Sequence, residues 1–417
     1  MTIDLAQHSP LGGSGAHRWM LCPNSVRLSY GVDDPESEWA AIGTAAHALG
    51  EWCLRWGDDA WNHIARGPGP GEGFTLPDGD ELYLDKPMAD AVQVYLDAFR
   101  AAHPEFVLDD NGWVELEFHC PGLHKYFWGK SDAGYWDEPA RMLHVWDYKH
   151  GAGIVVEVLW NPQLMYYACG ILEYLNLWTE IDHVVLWVAQ PNGFHGDGPI
   201  RNWKIAIRDL ERWLDSELIP SMQRALTSDA TASGLHCRFC PARYRACPQM
   251  LDDAKEFDEM TAKMDLELSE KDAARELTNE EVARYLDLLD VVKIAGRAAD
   301  HTAFVRAEAG HKITNRKLVR ARSNREWREG EEAQVKKALG KKAMSKPELL
   351  SPAKAEKLPG GEKVVARYAF KPDKGRTLVR ADDSRPSVAE DNKSMFEKAT
   401  KKRKGKVELW SKTDSLA

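Results

Sequence analysis

Three cysteines share one short loop, Cys237-x2-Cys240-x6-Cys247, and a fourth, Cys22, lies far upstream in the same chain. Three soft ligands at that spacing need one more partner to complete a tetrahedral metal or an iron–sulfur cluster. If Cys22 supplies it, the site ties the start of a domain to its end, and the chemistry of the chain is to be sought between the two. A zinc ion is served by the same four thiols, or by three of them with a nearby histidine such as His236. Cys53, Cys120 and Cys169 read most simply as buried apolar side chains.

The 417 residues can hold one large domain with a smaller one, or two of medium size. Seven cysteines, odd in number and clustered, do not make a secreted disulfide framework. No apolar run reaches the roughly 18 residues of a membrane span, and no basic-then-apolar leader opens the sequence. The expectation is therefore a cytoplasmic protein with no membrane partner. Its net charge of −10 conceals an asymmetry: residues 311–417 carry 29 Lys+Arg against 15 Asp+Glu, leaving 26 against 50 for residues 1–310. A body of net charge −24 thus bears a basic appendage of +14. Such appendages touch nucleic acid or are merely solvated, and charge alone does not separate the two.

Apolar spacing predicts helices over 37–56 and 86–101, the second with Met88, Val92, Tyr95, Leu96 and Phe99 on one face. A Gly/Pro-rich surface loop over 67–73 separates them. Strands follow at 113–118, where residues alternate regularly, then at 126–136 and 142–148. A helix over 161–177, strands at 184–190 and 203–207, and a helix over 211–226 lead to the cysteine loop. This order describes an α/β or α+β core. Beyond it, a long helix over 278–309 opens on Thr278 as its cap. A basic stretch with short β-like runs (312–327), short helices (331–358), a hairpin over 368–380 and a disordered tail complete the chain. There is no internal repeat and no phosphate loop of the helicase type.

Gly129-Lys130-Ser131-Asp132 lies on one strand and Val145-Trp146-Asp147-Tyr148-Lys149 on the next, with turn chemistry between them. Folding about Pro139-Ala140 sets Asp132 opposite Asp147, their β-carbons roughly 5 Å apart. Lys149, two residues on, then shares the face. Two carboxylates and an ammonium suit phosphodiester cleavage: the acids hold Mg2+ or Mn2+, and the lysine orients or deprotonates water or faces the developing charge. Asp-x-Lys by itself is common and more often describes an exposed strand face with a salt bridge. Two helical i, i+4 pairs flank the hairpin, His47 with Glu51 and Gln163 with Tyr167. Glu115 and Glu117 stand on the preceding strand, where one can face the site, and neither is counted among the ligands.

Taken in order, the Gly-Thr-x-x-His-x-x-x-Glu helix from Gly43, the Gly-x-x-Asp and Asp-x-Lys strands, the Gln-x-x-x-Tyr helix and the cysteine set resemble the RecB-like branch of the PD-(D/E)XK nucleases. The resemblance covers about Trp19 to Pro248. Its clasp is similar to that of the AddB subunit and of CRISPR-adaptation nucleases, and the opening Ala16–Ser25 with the basic C-terminal part looks most like a phage-encoded family of this group. It implies a restriction-endonuclease-like α/β core over 1–250, a mixed sheet flanked by helices and closed by a [4Fe–4S] cluster on Cys22, Cys237, Cys240 and Cys247. A helical arm (251–310), a basic α+β module (311–385) and the tail (386–417) extend it. By position, His47, Asp132, Asp147 and the carbonyl of Tyr148 would bind the cation. Lys149 would be the catalytic lysine, Gln163 and Tyr167 would line the site, and Glu51 would support it. Asp147 stands where the family often has Glu. The implied activity is a metal-dependent DNA exonuclease of phage replication or recombination in a bacterial cytoplasm. Its partners would be DNA and a single-strand-binding, recombinase or helicase protein. The alternative is an inactive nuclease fold that binds DNA or a replisome.

Overall fold

The computed structural model describes residues 9–32, 38–64, 74–75, 81–82, 84–245, 247–269, 278–322, 325–328, 330–340, 344–345, 348–372, 375–380 and 387. The chain divides into two compact units, 1–295 and 296–417. The loop over 67–73 and, apart from residue 387, the tail over 386–417 lie outside the described residues. Among these, no helix is long and apolar enough to cross a membrane.

Unit 1 is α/β. It opens with two short helices, α1 (Ala16–Leu21) and α2 (Ser25–Ser29), then α3 (Glu38–Trp56) and α4 (Lys86–Ala102). Asp85 caps α4, its side chain accepting the Met88 N–H at 2.9 Å, with proline in the first turn where no N–H is needed. Strands β1 (Gly112–His119), β2 (Trp128–Asp137) and β3 (Met142–Tyr148) form an antiparallel meander. Helix α5 (Pro162–Tyr174), capped by Asn161, crosses over to β4 (His183–Ala189), which pairs parallel to β3; β5 (Ile200–Ala206) closes the sheet antiparallel to β4. The result is a mixed five-stranded sheet in chain order. A helical stretch over 207–227, with a π turn at Leu214–Leu218, then leads to the cysteine loop and α6 (Pro248–Ser269), a helix the sequence reading did not separate out.

Each face of the sheet carries a core. Leu143, Val145, Leu186 and Val188 pack with Leu164 and Ile171 of α5. Gly170 makes this approach possible, because a β-carbon there would meet the Phe118 ring. On the other face Ala133, Trp146 and Tyr148 pack against Leu49 of α3 and Val92, Tyr95 and Phe99 of α4. The α4 residues are the stripe that its 3.6-residue periodicity marks.

Two imidazoles on the α4 face serve as acceptors. Trp146 Nε1 donates to His103 Nε2 at 2.9 Å, Trp187 Nε1 donates to His144 Nδ1 at 3.1 Å, and the two indoles stack at 4.4 Å. Burial, aided by His144, pushes His103 down to about 3, and burial takes His144 to about 4. Both lie below the unfolded value, so the stability they confer is complete above pH 6.5 and is lost as pH falls toward 4. The expected cost between pH 7 and pH 4.5 is on the order of 4 kcal/mol, reduced here for the partial exposure of His144. Urea titrations at the two pH values measure it. His103→Gln, which retains an acceptor for Trp146, should flatten the dependence.

Helix α7 (Asn279–Glu308) begins in a reciprocal cap: Thr278 Oγ1 accepts the Glu281 N–H at 3.2 Å while Glu281 accepts the Thr278 N–H at 2.9 Å. In unit 2, Arg316–Arg320 pairs antiparallel with Arg376–Arg380, and Glu326–Trp327 with Ala369–Phe370. The hairpin expected over 368–380 is therefore corrected: its two halves pair with earlier strands and not with each other. Ala355, Val365 and Ala369 form a small core under Trp327.

Candidate cation site

The site grows from an interruption in the sheet. Val114 pairs with Ala133 and Leu116 with Ser131, so the register is unchanged, yet Glu115 and Asp132 between them drop out of the ladder. Glu115 has φ +55°, a left-handed conformation that costs a non-glycine residue about 1 kcal/mol or more. The chain turns over there. Val114 belongs to the α3–α4 core, whereas Leu116 and Phe118 pack on the α5 side, although regular alternation would put all three on one face.

This break releases Asp132. The β2–β3 ladder has the register that the turn at Pro139 predicts, but it starts at Ala133–Trp146. Asp132 and Asp147 do not pair in the ladder; Asp132 Oδ2 instead accepts the Tyr148 N–H at 2.8 Å. That oxygen also lies 3.5 Å from His47 Nδ1. The Tyr148 ring stacks on Tyr95 and meets the His47 ring edge-on at 5.4 Å, which fixes the imidazole. Glu51 binds Arg55 at 2.9 Å, and Arg55 donates to the Val114 carbonyl at 2.7 Å, fastening α3 to β1 beside the break.

Among the described residues, one set of three ligating groups comes within 4.8 Å: His47, Glu115 and Asp132. A cavity of about 10 Å3 between α3, α4 and the sheet adjoins them, enough for one ion or water. Glu115 was not counted in the sequence reading, and a signal for it existed only in its position on the strand before Asp132. Its carboxylate is 2.6 Å from Lys130 Nζ. Asp147 falls outside the triple. Its Oδ1 accepts from Lys149 Nζ at 2.9 Å and from Gln163 Nε2 at 3.2 Å. Its Oδ2 is buried, 2.9 Å from the ammonium but outside hydrogen-bonding geometry. Lys149 reaches Gln163 Oε1 at 3.3 Å, and Gln163 donates to Tyr167 Oη at 3.1 Å. The expected residues thus meet around the end of β3 in two groups, His47 and Asp132, joined by Glu115, on one side and Asp147, Lys149, Gln163 and Tyr167 on the other.

Crowding of anions shapes the titration. Burial, and then the Asp147 charge, raises Asp132 to about 7, while burial and Asp132 raise Glu115. Burial, and then the Lys149 charge, lowers His47, which favours the neutral imidazole that can ligate. A divalent cation is the species that relieves such a set.

The cysteine loop brings its residues together as well. Cys22, Cys237, Cys240 and Cys247 line one cavity, with His236 and Met250 among its walls. Burial raises Cys22 and takes Cys237 to about 11. Cys53, Cys120 and Cys169 are buried elsewhere in the unit, in agreement with the apolar reading. Asn24 donates its N–H to the Ala230 carbonyl at 3.0 Å and Arg18 Nη1 donates to the Phe239 carbonyl at 3.1 Å, so the first helices are joined to the segment around the cysteine loop by hydrogen bonds too.

A family model described as a protein of unknown function (DUF2800) matches residues 8–386. No solved structure matches the chain.

Proposed function

We propose that this chain, which belongs to the DUF2800 family, is a divalent-cation-dependent nuclease that hydrolyses DNA from its ends, with unit 1 built as a PD-(D/E)XK core. One observation carries the reading: a set of two carboxylates and an imidazole shares the end of β3 with a held ammonium. Two carboxylates and a neutral imidazole beside a one-ion cavity fit Mg2+ or Mn2+. His47, Glu115 and Asp132 would hold the ion. Its positive charge polarises a phosphodiester and acidifies water.

The side chains supply the remainder. Hydrolysis joins a water oxygen to phosphorus and breaks one phosphorus–oxygen ester bond, with a proton passing to the departing oxygen. Negative charge grows on the phosphoryl oxygens meanwhile, and Lys149 faces it. Burial opposes the ammonium, but Asp147, Asp132 and the hydrogen bond to Asp147 outweigh it and raise its pKa. Lys149 therefore acts as a fixed charge and not as a base. Asp147 and Gln163 hold it in place, and Tyr167 fixes the Gln163 amide.

The clasp completes the fold. Four thiols brought together from distant parts of the unit fit a soft metal group. The resemblance implies a [4Fe–4S] cluster on these thiols, and one zinc ion is the simpler alternative that the same four sulfurs would also hold. The role of the clasp is structural, closing a loop of most of the unit. Anaerobically purified protein should be brown and contain iron. Cys237→Ser should lose the colour and become sensitive to protease around 228–248. Colourless protein with one zinc per chain would replace the cluster by the simpler metal.

The activity is tested with end-labelled single-stranded, blunt and tailed DNA in Mg2+ and in Mn2+. Progressive shortening, abolished by chelator, is expected. DNA left intact in every combination but bound by the protein would mean an inactive nuclease fold.

A further inference from the structure

A cleft of about 490 Å3 lies on the clasp side of unit 1, lined by Arg18, Arg27, Ser29, Tyr30, Lys125 and Tyr126 over an apolar floor. Three cations and no carboxylate line it. This is notable in the part of the chain whose net charge is −24, from 26 basic against 50 acidic residues over 1–310. Composition would surround any such cleft with acids, so folding has sorted the charge.

Each cation is held for use. Lys125 Nζ sits 4.7 Å from the centroid of the Tyr126 ring and has no carboxylate partner among the described residues. Arg27 is forked by Asn24 Oδ1 at 3.1 and 3.0 Å and pairs with the exposed Asp229 at the margin. Arg18 gives Nη1 to the Phe239 carbonyl, while its buried Nε has no hydrogen-bond partner among the described residues. The Tyr30 side chain is exposed. The walls are fastened to the cysteine loop: Ser29 Oγ is 3.7 Å from Cys240 Sγ, and Arg245 donates to the Tyr30 carbonyl at 3.3 Å. On the other side Tyr126 lies two residues before the start of β2, and Asp132 lies four residues into that strand, about 13 Å from Trp128.

Cations beside aromatic faces bind phosphates and stack bases, the chemistry of sequence-tolerant single-strand recognition. We propose that this cleft is a single-stranded DNA subsite, with Arg18, Arg27 and Lys125 on phosphates and a base against Tyr30 or Tyr126. The strand would then run along β2 to the acids. This rests on the nuclease reading, and it gives the clasp a second task, that of shaping the entry for the strand.

Binding is read on the full chain in chelator, where hydrolysis plays no part, by the fluorescence anisotropy of a labelled oligothymidylate of about 12 nucleotides. Lys125→Ala should weaken binding severalfold and lower the slope of log affinity against log salt by about 0.7, the share of one phosphate contact. Tyr30→Ala should weaken it by about tenfold with the salt slope unchanged, as loss of a stacked base requires. Lys86→Ala, on the remote end of α4, should change neither. The proposal is overturned if the wild type does not bind the oligomer, if it binds duplex as tightly, or if both cleft variants bind like wild type. Hydrolysis of a small aryl phosphodiester by the wild type in Mn2+ tests the nuclease reading separately, since such a substrate does not need the cleft.

Discussion

Lys149→Ala is expected to slow DNA hydrolysis by about 10²-fold or more while leaving Mn2+ binding close to that of the wild type. The reason lies in its partners. Nζ is bound to Asp147 and Gln163, and it stands outside the His47, Glu115, Asp132 triple. Removing it takes away a charge that acts on the substrate and no ligand of the cation. Asp147 would then be left buried without its counter-ion, a costly condition. A fall in thermal stability should accompany the change, and Lys149→Arg should restore stability more fully than activity, because a planar fork does not reproduce a point charge. Lysine as the general base is a different mechanism. It would make the rate climb with the titration of Lys149 itself, and a rate insensitive to pH above neutrality fits the fixed-charge role.

Asp132→Asn should act in the opposite direction on stability. The amide oxygen can still accept the Tyr148 N–H, so the local hydrogen bond survives. What disappears is a buried carboxylate pushed up to about 7 by desolvation and by Asp147. Relief of that repulsion should stabilise the fold by on the order of 1–2 kcal/mol, seen as a melting temperature higher by a few degrees. Cation affinity should fall by at least about 10- to 100-fold and hydrolysis by about 10³-fold. A protein that becomes more stable as it loses activity marks a site where charge is concentrated for function. Asp132→Asn with wild-type cation affinity would remove Asp132 from the ligand set.

Much of the fold was legible because local chemistry and the wider structure agree. Asp85, Asn161 and the Thr278–Glu281 pair announce their helices and cap them, and the turn at Asp137–Arg141 sets the β2–β3 register. The site was legible in its members more than in its geometry. Gln163 and Tyr167 lie on one turn of α5 and both reach the Lys149 cluster, as their spacing implies. Glu115 was left out of the ligand set because Val114-Glu115-Leu116-Glu117-Phe118 looks like a regular strand, which does not say which of its acids faces the site. Regular alternation carries no mark of the left-handed residue that swaps the faces of the strand at Glu115 and brings its carboxylate near Asp132. The pairing of 368–380 failed for a related reason. Adjacent β-like runs suggest a hairpin, but the choice of partner is made by contacts distant in sequence, here with 316–320 and 326–327.

Mn2+ binding followed by electron paramagnetic resonance, on wild type beside Glu115→Gln and Asp132→Asn, tests the central claim most directly. The account predicts one tightly bound ion per wild-type chain, lost or strongly weakened in both variants and retained in Lys149→Ala. Equal binding in wild type and in the Glu115 and Asp132 variants, or no binding in any of them, would contradict it.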